Sequence, residues 1–531
     1  MKVLYYNWVD FEDEQQRGGG VSIYQRNLID AAAHCGDEVW FLSSGFCYSP
    51  FSRRPFLREV KARNHGVRKF EIVNSTIISP GQLAFGQDVA ASPELEPLFA
   101  DFLRQHGPFD VVHFNNLEGI PLSFLRLARE HHPFAKIIYS VHNYFAFCPQ
   151  VNLWFQERAA CRDFRDGRKC VNCLIRPLYP RRTRWLYRLD YCLRKLGIPW
   201  QSVVDRALPM WLIFRLLRSA YHLARGIFRG KTFATKVPQP SCATRRATKA
   251  VAILDPSEAA RFADRRRLFV DALNSYADHV LAVSRRVAEL TVGFGIDAAK
   301  VRTLYIGTRF AEDLRVSEPR PSGSGGAPRS RTIAAKRCDV LHIAYLGYMR
   351  RDKGFYFYLK ALKEMPSVLA RRLALTFAAK IVNPKALVRI KRMAHRFASV
   401  TFHDGYTHGQ LPDILRGIDL AVVPVLWEDN LPQVAIECVA SGVAILTSNC
   451  GGAQELLGCR DLVFRAGSQA DFHAKIQGIL DNPAILSTAL AGRARLYTPR
   501  EHYDCLRERF YGGIVADAVK QLPLIAVPVP G

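Results

Sequence analysis

No stretch of the 531-residue chain reaches the roughly 18 apolar residues needed to cross a bilayer, so no membrane-spanning helix is predicted. The opening Met1-Lys2-Val3-Leu4-Tyr5-Tyr6 passes straight to polar residues and lacks the apolar core of a secretion signal. The expected location is the cytosol or the membrane face that borders it. The thirteen cysteines are odd in number and scattered, which predicts reduced thiols and no disulfide framework. No internal repeat is visible, and no nucleic-acid recognition module accompanies the basic charge, so nucleic acid is not an expected partner. Acidic residues are scarce, 48 Asp and Glu against 74 Lys and Arg, for a net charge of +26. That surplus is concentrated: Leu174 to Arg267 carries twenty-one basic residues and five acidic ones.

What is present is an ordinary globular composition, 49% apolar and 23% charged, on a chain too long for one core. Short apolar runs alternate with helical periodicity, the pattern of parallel sheets with crossovers. Predicted strands in the first half are Lys2 to Tyr6, Glu38 to Ser43, Phe109 to Phe114, Lys136 to His142, Ala277 to Ser284 and Val301 to Ile306, with helices at Ser22 to Cys35, Pro121 to His131 and from Arg285. In the second half the predicted strands are Leu341 to Leu346, Leu373 to Ile381, Val400 to His403, Leu420 to Pro424 and Ala444 to Thr447. Between the halves, a segment rich in Pro, Gly and Ser reads as a linker over 317–337. The expected architecture is α/β: two doubly wound Rossmann-like domains facing a cleft, 1–316 and 338–498, with a basic helical insertion near 176–267 and a C-terminal helix and tail at 499–531.

The stretch Trp427-Glu428-Asp429-Asn430-Leu431-Pro432-Gln433-Val434-Ala435-Ile436-Glu437 follows an apolar strand, where open α/β sheets bind ligands. Asp429 and Glu437 stand eight apart, with Pro432 suited to a first helical turn and Glu437 able to face the cleft. A carboxylate there can accept both hydroxyls of a ribose. Gly18-Gly19-Gly20 sits between the first strand and first helix, where glycine lets backbone approach a phosphate. Leu346-Gly347-Tyr348-Met349-Arg350-Arg351-Asp352-Lys353-Gly354 puts three cations beside a helix N-terminus, which points to an anionic ligand. His142, Gly405 with Tyr406, and Gly451-Gly452-Ala453 mark further strand ends.

In these motifs the chain resembles the retaining GT-B glycosyltransferases, the group 1 family that includes sucrose-phosphate synthase-like and polysaccharide enzymes. The resemblance implies that Glu437 holds the ribose of a nucleotide sugar and that Glu428 or Asp429 contacts the transferred sugar, with His142 beside it. It also implies that Gly19 and Gly20 face the donor phosphate and acceptor, that Lys353 clamps the diphosphate, and that Gly405 lies near the base. The family's clamping arginine is replaced by Tyr348, so that role falls to Arg350 or Arg351. The implied reaction retains configuration and uses a UDP- or GDP-type donor without a metal cofactor. The alternatives are a non-catalytic nucleotide-binding or membrane-surface scaffold protein and an epimerase on the same fold.

Two further features stand apart. Cys148, Cys161, Cys170 and Cys173 fall close together, and Cys170-Val171-Asn172-Cys173 has the spacing of a zinc knuckle, so structural zinc and free thiols are both open readings. The basic insertion sets Trp211, Phe214 and neighbouring aliphatics beside Arg215, Arg218, Arg225 and Arg229 at helical spacing, which suits an anionic membrane surface. A peripheral position on the inner membrane face and a lipid-linked or polysaccharide acceptor are the corresponding expectations.

Overall fold

The computed structural model describes residues 1–13, 17–63, 66–175, 178–197, 256–312, 340–381 and 383–512. The predicted linker 317–337 and the amphipathic part of the insertion, Trp211 to Arg229 included, lie outside these residues. Two α/β units account for the rest.

The first is built on an eight-stranded sheet in the order β10-β9-β6-β5-β1-β2-β4-β3. Its strands are β1 (Lys2–Asn7), β2 (Glu38–Cys47), β3 (Phe56–Val60), β4 (Val67–Val73), β5 (Val111–Phe114), β6 (Lys136–Val141), β9 (His279–Ala282) and β10 (Val301–Thr303). All neighbours run parallel except β3, which pairs antiparallel with β4. A separate two-stranded ribbon, β7 (Trp154–Phe155) and β8 (Ala159–Ala160), follows β6. Parallel strands covered on both faces must be apolar throughout, and β5 is buried at all four positions.

The second unit has six parallel strands: β11 (Leu341–Tyr348), β12 (Leu373–Lys380), β13 (Ser399–His403), β14 (Leu420–Val423), β15 (Ala444–Ser448) and β16 (Val463–Phe464). Their order, β13-β12-β11-β14-β15-β16, reverses direction between β11 and β14. This is the dinucleotide-binding order, whose crevice lies beyond the carboxyl ends of the two strands at the reversal. The helix Pro499–Arg509 is opened by a Thr498–Glu501 capping box and packs on the helix Gly20–His34 of the first unit. There the Tyr24 hydroxyl meets His502 Nε2 at 3.1 Å, and Tyr511 Oη lies 2.6 Å from His113 Nδ1.

Several sequence expectations need adjusting. The strand expected from Phe109 starts at Val111, the helix expected from Pro121 starts at Ser123, and β6 ends at Val141, one residue before His142. The four clustered cysteines do line one small cavity, yet no group of three or more His, Cys, Asp or Glu side chains among the described residues is placed to hold a metal. Cys173 Sγ is turned to Gln150 Oε1 at 2.7 Å. All four are free thiols.

Candidate active site

A cavity of about 690 Å³ opens between the two units, within the range that holds a small ligand. It sits at the strand-order reversal. Its lining includes Gly347 and Tyr348 from the end of β11, Pro424 and Val425 after β14, and Gly20, Tyr24 and His142 from the first unit.

The loop after β14 places the acidic residues. Asp429 and Glu437 both line the cavity. Glu437, 3% exposed, rides on the helix Gln433–Ala440, and its Oε1 lies 3.0 Å from His408 Nε2. That hydrogen bond raises the His408 pKa against the opposing effect of burial. Glu428 does not line the cavity. Its carboxylate takes a two-pronged contact from Arg286 of the first unit, Nη2 to Oε1 at 2.8 Å and Nε to Oε2 at 3.0 Å, and accepts the Gly451 N–H. Of the two candidates for sugar contact, Asp429 faces the space and Glu428 ties the units together.

Gly451 and Gly452, at the strand end after β15, buttress this loop. Gly452 N–H donates to the Asp429 carbonyl at 3.0 Å, and a Cβ on Gly451 would come within 1.9 Å of the same oxygen. Only glycine allows that approach.

The loop after β11 delivers Lys353 to the cavity, its Nζ 2.5 Å from Asp429 Oδ2 and over the Trp427 ring at 5.4 Å. Arg350 and Arg351 do not line it. Arg350 pairs with Asp352 at 2.7 Å, and Arg351 reaches Glu157 of the first unit at 3.5 Å. Gly19 sets a left-handed turn at φ +57 before the helix Gly20–His34, while Gly20 itself lines the cavity, as do Gly405 and Tyr406.

His142 faces the cavity with its ring against Tyr24, and its buried Nε2 has no hydrogen-bond partner. Burial pushes its pKa down to about 3, so the ring is neutral. Trp427 Nε1 and both amide atoms of Gln433, which also line the cavity, are likewise buried and unpartnered. Unpaired buried polar atoms cost free energy unless a ligand satisfies them. Sequence reasoning gave no role to Trp427 or Gln433, and it missed Lys380, Asp404, His408 and Gln410, which share the lining. Their strand-end and first-turn positions were the available signal.

Buried neutral histidines have a consequence for acid stability. Burial lowers the pKa of His113, of His142 and, to about 4, of His502, while it raises Glu118 to about 7. The histidines bind protons on unfolding and lose that protection as pH falls through their folded values; Glu118 acts oppositely, being destabilising as pH rises toward 7. His106, His132 and His279 are lowered as well, while Asp10 and His408 are raised with Glu118, so proton uptake by six histidines opposes release from three groups and stability should fall as the pH drops from 7 to 5. Urea unfolding between pH 7 and 5 measures this, and a flat or rising stability on acidification contradicts it.

Comparison with known proteins agrees with the fold. Residues 340–482 match the family model "Glycosyl transferases group 1". The match lies wholly within the second unit. No curated protein matches the chain. Among solved structures it is similar to the UDP-forming α,α-trehalose-phosphate synthase of Burkholderia vietnamiensis, at 12% identity over 96% of this chain and 98% of that one, TM-score 0.52. The trehalose-6-phosphate synthase OtsA aligns at 12% identity over 97% and 100% of the two chains, TM-score 0.50. The sucrose-phosphate synthase of Thermosynechococcus elongatus aligns at 14% identity over 95% and 94%, TM-score 0.49. The two-unit architecture is that of GT-B glycosyltransferases.

Proposed function

We propose that the chain is a retaining glycosyltransferase that moves a sugar from a nucleoside-diphosphate sugar to a lipid-linked or polysaccharide acceptor, in surface polysaccharide synthesis. The observation that carries this reading is the convergence of Glu437, Asp429, Lys353 and the unpartnered His142 Nε2 on one cavity at the strand-order reversal. In this reading residues 1–316 form the acceptor side and 338–498 the donor side, with the helix Pro499–Arg509 crossing back to the first domain. Glu437 receives the ribose hydroxyls, with Gly405 near the base. Lys353 meets the diphosphate, and Asp429, His142, Trp427 and Gln433 take the sugar hydroxyls.

The bond from the anomeric carbon to the leaving phosphate oxygen breaks while the acceptor oxygen bonds to the same face. The acceptor's proton passes to the departing diphosphate, so no side chain need be a strong base. Neutral His142 is suited to hydrogen bonding with the sugar and not to charge stabilisation. Lys353 supplies the positive charge that the leaving group needs, the main electrostatic task of the step. UDP is the first nucleotide to try, because the synthase of like fold is UDP-forming by its name. One feature favours a second reading, a nucleotide binder without catalysis: Tyr348 stands where the resemblance implies a clamping arginine.

The test is slow donor hydrolysis followed by proton NMR. Free sugar appearing first with the donor's own anomeric configuration is expected. Inverted sugar excludes retention, and an intact donor that nevertheless binds selects the non-catalytic reading. The membrane-facing acceptor rests on the basic segment Leu174 to Arg267, and no helix among the described residues is long and apolar enough to span a membrane. Sedimentation with anionic vesicles at low salt and release at high salt are expected. Failure to sediment at low salt counts against that acceptor class.

A further inference from the structure

We infer that Lys380 is the second cation for the donor diphosphate, in place of the arginine that Tyr348 displaces; this rests on the transferase reading above. Lys380 is the last residue of β12 and lines the cavity. In the β11–β12 ladder it pairs in register with Tyr348, so the two side chains leave the same face of the sheet at adjacent strand ends. Its Cβ stands 3.7 Å from where a Cβ on Gly405 would be, which places it against the loop assigned to the base, one strand from the end of β11.

Charge accounting at the cavity supports the assignment. The lining carries three carboxylates, Asp404, Asp429 and Glu437, and two lysines, Lys353 and Lys380. Lys353 is already held by Asp429 at 2.5 Å, and His408 by Glu437. Asp404 is turned to the Ile381 N–H at 2.8 Å. Lys380 has no ion-pair partner among the described residues, which leaves it as the uncommitted cation of the lining. The arginines that the motif offered point elsewhere, Arg350 to Asp352 and Arg351 to Glu157. A diphosphate seated beyond β11 and β14 carries about two to three negative charges into this acidic surrounding. One lysine shared with a carboxylate is a weak counter-charge for it, whereas Lys353 in the loop after β11 and Lys380 at the end of the neighbouring β12 bring two cations to the lining. Lysine acts here as a point charge, without the planar two-pronged geometry of arginine.

The experiment is calorimetric titration of UDP, UMP and uridine into wild type and into Lys380→Ala, Lys380→Glu, Lys380→Arg, Arg350→Ala and Glu437→Ala. Loss of about 10-fold in UDP affinity for Lys380→Ala is expected, with a larger loss for Lys380→Glu, recovery in Lys380→Arg and unchanged uridine binding. Arg350→Ala should bind as wild type. UDP binding that survives Lys380→Glu while Glu437→Ala abolishes it overturns the role of Lys380 and leaves the transferase reading standing. Equal loss of UDP and uridine in the Lys380 variants also overturns it, since that marks a structural effect. Wild type that binds no nucleotide, with GDP tried in parallel, removes the parent reading itself.

Discussion

Lys353→Ala should lower turnover by about 10²–10³-fold, the cost of removing one positioned electrostatic group from a transition state that sheds charge. Lys353 is suited to this because it is fixed before substrate arrives. Its ammonium is held between Asp429 at 2.5 Å and the Trp427 ring, so little reorganisation is needed when the diphosphate departs. The substitution also strips Asp429 of its counter-charge beside the sugar position, adding repulsion toward the donor. Turnover should therefore fall more than donor affinity. Arg350→Ala, outside the cavity lining and, among the described residues, ion-paired with Asp352 from an exposed position, should change neither by more than about twofold. Steady-state kinetics of the two variants side by side decides the matter. Equal losses would mean that the loop as a whole, and not the lysine, carries the charge.

Gly354→Ala should be the most damaging single-methyl change in the second domain. Gly354 holds φ +73, a left-handed conformation that costs a side-chain-bearing residue about 1–2 kcal/mol. A Cβ there would lie 1.5 Å from the Pro424 carbonyl oxygen, so the end of β14 and the loop after β11 must move apart. Backbone cannot yield as a flexible side chain does. The loss should exceed about 3 kcal/mol, in the class of strained-backbone substitutions. Because Lys353 precedes this residue and Pro424 leads into the acidic loop, whatever protein does fold should also bind nucleotide poorly. Thermal denaturation measures the first effect, and a melting temperature within about 2 °C of wild type, a shift of order 1 kcal/mol, would show that the approach is relieved elsewhere.

The fold and the site were legible to different depths. The parallel cores could be read because strands buried on both faces are near-continuous apolar runs; Val111 to Phe114 and Leu420 to Val423 are short, bounded runs of that kind. The antiparallel β3 was missed because Phe-Leu-Arg-Glu-Val is half polar, an edge strand whose pairing is set by β4 and not by its own pattern. The acidic motif after β14, Glu428 or Asp429 followed by Glu437, could be read from the sequence. Its orientation could not: whether Glu428 or Asp429 faces the cavity depends on Arg286, which arrives from a helix of the other unit 142 residues away. Lys380 was invisible for the same reason, since its value comes from register with Tyr348 on a neighbouring strand. The cysteine spacing suggested a metal, but a two-residue gap fixes only one pair, and Cys173 finds Gln150 instead.

The most direct measurement is calorimetric binding of UDP and GDP to the purified wild-type chain and to Glu437→Ala. Glu437 is 3% exposed and held only by His408 among the described polar contacts, so its loss should leave the fold intact while removing both ribose hydrogen bonds. Selective binding of one diphosphate, weakened about 10- to 100-fold by the substitution, is the expected result. Folded wild-type protein that binds neither nucleotide, or a Glu437→Ala variant that binds as tightly as wild type, would contradict the placement of a nucleotide sugar in this cleft.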